Sequence, residues 1–172
     1  MNDFSQLVDQ AESALEAAQS YVNEIGKVVR LAVYQDGQPN NALLTSRQRI
    51  VHGYAWAETT VHGLAAIISW SKGLLERGRM TEGEACVIKI AFGEYLAQFI
   101  GGIPMGQNEY FRPSDAGMTE AAQTLASESS VSEFLATGNS VKNRGMIFQY
   151  LLSSGYINDR FDDEFLDEIR SQ

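Results

Sequence analysis

FSQLVDQAESALEAAQSYVNEIGKVVRLAVY (residues 4–34) decides the fold. Phe4, Leu7, Val8, Ala11, Leu15, Ala18, Val22, Ile25, Val29 and Val33 recur at steps of three and four, which puts them on one stripe of an α-helix. Asp9, Glu12, Glu16 and Glu24 take the opposite face. The pattern predicts a long amphipathic helix, in which Gly26 costs about 1 kcal/mol relative to alanine. QDGQPNN (35–41) ends it, because glycine, proline and asparagine favour turns.

Working outward, Ser46 is expected to cap a second helix running to about Glu76, with Ile50, Val51, Tyr54, Ala57, Val61, Leu64, Ala65, Ile68 and Leu75 as its stripe. Gly53, Gly63 and Gly73 interrupt that helix at even spacing and point to close approach of a neighbouring backbone, or to simple tolerance. Thr81 and Glu84 form a capping box that opens a third helix, with Cys86, Ile90, Phe92, Leu96 and Phe99 inward. Gly101 and Gly102 stop it, with Gly101 expected in the left-handed position. A loop follows over 103–118, held out of helix by Pro104 and Pro113. Shorter helical segments are expected at 120–127, 130–137, 140–153 (between Asn139 and Gly155) and 162–170. No alternating run is long enough for a strand, LAVYQ (31–35) coming nearest. The fold class is therefore all-α: one domain over 1–172, an antiparallel helical bundle of about four long helices with its core in 4–113 and shorter helices over 119–170.

The chain has 172 residues and a net charge of −9, a balance that repels phosphate backbones and anionic lipid surfaces. Nucleic acid and membrane are thus excluded as expected partners. Acidic residues occupy the N-terminus where a signal peptide needs basic ones, and no apolar run reaches a membrane span, so the expected location is cytoplasmic. The lone Cys86 sits in an apolar helical pattern and reads as a buried, inert thiol.

Chemistry is sparse. His52 and His62, ten residues apart on one helix, point in different directions three turns apart and cannot share a metal. No nucleophile elbow, phosphate loop or dinucleotide fingerprint is present, so no catalytic and no metal-binding residue is assigned. Paired carboxylates such as Glu82 with Glu84 read as solvated faces and caps. Glu94, between Phe92 and Tyr95, is the carboxylate expected to be buried, shifted in pKa or held structurally by Arg49 or Lys89. In KIAFGEYLAQFIGGIPMGQNEYFRP (89–113), two glycines at a helix end offer exposed backbone to a phosphate or another backbone, or make only a cap.

The run YAWAETTVHGLAAIISWSKGLLERGRMTEGEACVIKIAFGEYLAQFIGGIPMGQNEYFRP resembles the helical N-terminal region of large bacterial flavoproteins of the acyl-CoA dehydrogenase family, and FDDEFLDEIRSQ resembles the linker helix that enters their core. Gln98-Phe99-Ile100-Gly101-Gly102 is similar to the Gln-x-x-Gly-Gly turn in the C-terminal helical domain of those enzymes. That resemblance implies that Gln98, Gly101 and Gly102 approach the FAD pyrophosphate of a neighbouring subunit. It also implies FAD in the parent enzyme rather than in this chain. The family's catalytic carboxylate has no counterpart here, and there are no strands for its flavin-cradling barrel.

The expected function is an accessory helical domain of an acyl-CoA dehydrogenase-like flavoenzyme, inactive alone, docking on the dehydrogenase core or forming a homo-oligomer. Trp56 and Trp70 on the glycine-bearing helix are the expected dimer anchors. The competing reading is a stand-alone homodimeric interaction module with no flavin link. A third is a small-ligand binder using a cleft beside 101–113.

Overall fold

The computed structural model describes residues 3–154, and the protein is an all-α bundle. Its long helices are α1 (Asp3–Val33), α3 (Gln48–Glu76) and α4 (Glu82–Gly101), with the shorter α7 (Val141–Ser154). Between α1 and α3 lie a two-residue hairpin, β1 (Tyr34–Gln35) with β2 (Gln38–Pro39), and the short α2 (Asn41–Ser46). After α4 come a second hairpin, β3 (Ile103–Pro104) with β4 (Tyr110–Phe111), a 3₁₀ turn (Pro113–Ala116), α5 (Thr119–Ser127), α6 (Ser129–Glu133) and a π-helical turn (Phe134–Gly138). The expected segments at 120–127, 130–137 and 140–153 are all present. The one at 162–170 and the Gly155 stop lie outside the described residues.

Contacts at both ends of each pair give the helix directions. Glu12 meets Lys72 and Gly26 meets Tyr54, so α1 and α3 run antiparallel. Tyr21 packs edge-on against Phe99 while α1's first turns line a cleft with Glu82 and Ala85, so α1 and α4 run parallel. Tyr150 lies on Gly83 and Asn139 on Gly93, so α7 returns antiparallel along α4. Helix α1 is central: it touches α3, α4, α5 and α6. Ala11, Ala14 and Ala18 are fully buried on it, small residues that let neighbouring helices approach closely. Val22, Leu64, Leu74, Ile88, Phe92, Leu96 and Val131 complete a core of large, fully enclosed side chains. Burial pushes the Tyr21 hydroxyl up to about 12.

Several local expectations are corrected. Ser46 does not cap α3; it is the last residue of α2, and its hydroxyl donates to Leu43 O. It is α2 that has a side-chain cap, Asn40, whose Oδ1 accepts from the amides of Ala42 and Leu43 at 2.9 and 3.1 Å, while α3 starts after Arg47 without one. The evenly spaced glycines do not receive a neighbouring backbone. A methyl on Gly53 would strike the Phe111 ring at 2.1 Å, one on Gly73 would touch the Arg77 side chain, and Gly63 has nothing within 4 Å. Backbone approach occurs instead between α4 and the π turn. There, a Cβ on Gly93 would lie 2.4 Å from Asn139 N, and one on Gly138 would lie 2.5 Å from Lys89 O.

Candidate functional site

The segment singled out by sequence is built by the end of α4. The helix keeps its geometry through Gly101, which is exposed and has nothing within 4 Å of where a Cβ would be. The left-handed position belongs to Gly102 (φ +134°), not to Gly101, and the Gly102 amide donates to Gln98 O at 2.8 Å. The reason is the hairpin that follows: Gly102 must turn the chain where a Cβ would lie 3.2 Å from Arg112 Cγ. The Gln98 side chain points back along α4 and donates to Glu94 at 2.9 Å. Within one chain, then, Gln98, Gly101 and Gly102 form a capped helix C-terminus. Such an end presents carbonyl oxygens and the negative pole of the helix dipole, the wrong polarity for a phosphate. The chain's own residues do not fit a pyrophosphate there.

The loop beyond is strapped to the start of α3. Arg49 donates to Tyr110 O at 2.5 Å and to Asp115 at 3.2 Å, and sits 3.6 Å from Glu109. Desolvation raises the Asp115 pKa, but the Arg112 amide and the Arg49 guanidinium lower it by more, so its carboxyl titrates below the ordinary value. The Phe111 ring then plugs the space that Gly53 leaves on α3.

The expected buried carboxylate is a different one. Glu94 is exposed and accepts from Gln98 and from Asn139, at 2.9 and 2.5 Å, rather than from Arg49 or Lys89. Glu84 is the fully buried acid. It completes the capping box by accepting from Thr81 N at 2.9 Å and from the Thr81 hydroxyl, and Tyr150 Oη lies 2.8 Å from that hydroxyl. This is a structural network locking α7 onto the start of α4. Cys86 is buried beside it; desolvation raises its pKa, Lys89 opposes the shift and Glu82 adds to it. His52 accepts from Trp56 Nε1 at 2.9 Å, and His62 lies 3.9 Å from Glu58. Among the described residues no group of three or more His, Cys, Asp or Glu could hold a metal ion. No helix among them is long and apolar enough to cross a membrane.

What the fold does present is a second face on α3. His52, Trp56, Thr59, Gly63 and Ala66 are exposed and Trp70 is half-buried, at alternating steps of four and three that set them on one side. Between residues 50 and 71 the only formal charge is Glu58. The core-facing side of α3 is covered by α1, and this second side is exposed.

This chain is similar to part of a dehydrogenase. It is 37% identical over 114 residues to the (2S)-methylsuccinyl-CoA dehydrogenase of Cereibacter sphaeroides, a match that covers 66% of this chain and 20% of that protein. The chain therefore spans about a fifth of the length of the curated relative it matches. No family model matches. The match supports the relationship to acyl-CoA dehydrogenases that the sequence implied, over part of the chain.

Proposed function

We propose that the chain is a non-catalytic helical accessory domain of an acyl-CoA dehydrogenase-like flavoenzyme, and that the outer face of α3 joins two copies of it. The observation that carries the first half is the reach of the match: 114 residues correspond to one fifth of a dehydrogenase. FAD then belongs to the parent enzyme's core.

The second half rests on the α3 face. Trp56 and Trp70 lie seven residues to either side of Gly63, and Thr59 and Ala66 lie inside them. A twofold axis at Gly63 makes this stripe complementary to itself: each Trp56 meets Trp70 of the partner subunit, and the bare glycines meet at the crossing. With Glu58 as the sole formal charge over 50–71, such pairing does not force the charges of a −9 chain together. The stand-alone homodimer reading uses the same face and differs only in lacking a dehydrogenase partner.

The test combines a visible spectrum with light scattering on the purified full chain. A colourless dimer that Gly63→Arg converts to a folded monomer is expected. Stoichiometric bound flavin would overturn the non-catalytic reading, and a monomer mass at high concentration would remove the α3 pairing. Stable co-purification with a co-expressed dehydrogenase core separates the accessory domain from the stand-alone module.

A further inference from the structure

On the outer face of α3 the indole N–H of Trp56 donates to His52 Nε2 at 2.9 Å, with the two rings 6.3 Å apart. The residues are four apart, so the bond runs along the stripe of the helix itself. An imidazole nitrogen accepts only while it carries no proton; His52 is therefore neutral here, with its hydrogen on Nδ1. The N–H is the sole polar group of a tryptophan side chain, and an anchor pressed into an interface with that donor unpartnered opposes association. His52 removes the difficulty, because its acceptor belongs to the same helix and travels with Trp56.

We propose that His52 is a proton switch on this face: neutral, it positions Trp56 for pairing with a second copy; protonated, it weakens that pairing. The inference rests on the α3 pairing proposed above and assigns its regulation. A proton on Nε2 turns the acceptor into a donor, so two N–H groups oppose each other and the indole loses its hold. It also sets a positive charge on a stretch, 50–71, whose only formal charge is Glu58. Association is therefore complete above the pH at which His52 takes up its proton and declines as pH falls through it. The other charged groups around the start of α3 are of types that titrate well away from histidine. Arg49 bonds Asp115 of the 3₁₀ turn and approaches Glu109 of the hairpin loop, while Arg112 lies over the Tyr110 ring. Arg47 stands at the break before α3, and α2 carries no charge. On α1, Lys27 is paired with Glu24 and Arg30 lies over Tyr34. Helix α4 carries no charge beyond Glu94, which Gln98 and Asn139 hold. Farther along α3, Glu58 accepts from Tyr54 at 2.6 Å. His62 is turned about 100° from Gly63, off the stripe, and lies beside Glu58, so its proton strengthens that pair and leaves the face unchanged.

Sedimentation of the full chain at about pH 7.5 and about pH 5.5, a span that brackets ordinary histidine titration, tests this. With one His52 in each copy, exclusion of both protons weakens pairing by up to about a hundredfold per pH unit. The wild-type dissociation constant is expected to rise at least about tenfold over the span. The Asp115 carboxyl titrates below its ordinary 3.8, so the Arg49 strap stays intact there. His52→Gln keeps an acceptor that takes up no proton: its carbonyl oxygen holds the indole N–H at either pH, and its dissociation constant should change by less than about twofold. In the monomeric Gly63→Arg/Trp70→Phe variant, Trp56 fluorescence should titrate over the same span, and stop doing so when His52→Gln is added. Equal weakening of wild type and His52→Gln in acid, or a Trp56 titration that survives His52→Gln, would overturn the switch. A dimer indifferent to pH removes the switch alone, whereas a monomer at both pH values removes the α3 pairing and the switch with it.

Discussion

The close backbone approach between α4 and the π turn is a direct place to test the packing. Gly93 on α4 faces Gly138 at the end of the π turn, and a methyl on Gly93 would sit 2.4 Å from Asn139 N and 2.9 Å from both Gly138 Cα and its carbonyl carbon. Ordinary contacts between such atoms are about 3.5 Å, so Gly93→Ala requires helix and turn to part by about 1 Å. Main chain cannot rotate aside as a side chain would. The same seam holds the Phe92–Phe134 ring pair, with centroids 5.2 Å apart, and the Asn143 bonds to Thr137 O and Gly138 O. Overpacking of this kind costs about 1–3 kcal/mol. Against it stands the gain of about 1 kcal/mol from alanine over glycine in a helix interior. The net expectation is a loss of up to about 2 kcal/mol, a fall in Tm of up to roughly 8 °C for a chain of this size. Gly101→Ala on the same helix, with open space around it, should change stability by no more than about 0.5 kcal/mol. Thermal and urea denaturation followed by circular dichroism measure both. Gly93→Ala more stable than wild type would refute the close approach of α4 and the π turn.

Glu84→Ala should lower the urea midpoint by the equivalent of about 2–3 kcal/mol with an unchanged slope, because it removes a buried acceptor from Thr81 and strips the cap of α4; a loss below about 0.5 kcal/mol would show the network to be incidental. Asp115 has a folded pKa below its ordinary 3.8, so its contribution is complete above that value and disappears as pH falls through the lower folded one. Asp115→Asn should therefore be less stable than wild type at pH 7 and converge on it in strong acid, whereas a gap independent of pH would contradict the Arg49 strap. Gly102→Ala, at φ +134° and pressed on Arg112, should cost about 1–3 kcal/mol in the same denaturation assay, and a neutral result would relocate the strain.

The long helices were legible because each carries an apolar stripe that only a 3.6-residue period aligns, and the capping box at Thr81 and Glu84 was legible because its spacing is local. The glycine series misled because ten residues is not a helical repeat: successive members are turned by about 80° from one another, so Gly53, Gly63 and Gly73 meet an aromatic ring, open space and an arginine. The pair that does bring backbones together, Gly93 with Gly138, is separated by 45 residues and has no shared period to betray it. Glu94 misled for a related reason. Neighbours at i−2 and i+1 on a helix lie about 160° and 100° away, so aromatic residues beside a carboxylate in sequence do not surround it in space. Glu84 is enclosed because α7 folds back over the start of α4 and Tyr150 closes the gap, a tertiary event that α4's own sequence does not record. Ser46 misled because the side chain that caps here, Asn40, lies in the turn that the glycine, proline and asparagines of 35–41 announce. The short α2 ahead of the break at Arg47 (φ −116°, ψ 23°) was not expected, and no proline or glycine marks that break.

The Gln98–Gly102 turn gains a sharper test from its geometry. A second glycine looked like the one a simple cap does not need, and the structure reverses which of the two that is. Gly102 has a complete intramolecular reason to be glycine: its φ is +134°, and any side chain would press on Arg112. Gly101 has none, being helical, exposed and clear of every neighbour to 4 Å. Alanine would serve the fold at least as well there, within about 0.5 kcal/mol. If the turn approaches a dehydrogenase core or a second copy, Gly101 is therefore where a partner would demand a bare backbone. Gly101→Glu should then leave the Tm of the chain within a degree or two, a shift corresponding to about 0.5 kcal/mol, and abolish co-purification or dimer formation measured by sedimentation. Gly101→Glu that assembles as well as wild type would leave the turn with no role beyond ending α4, and would confine association to the outer face of α3.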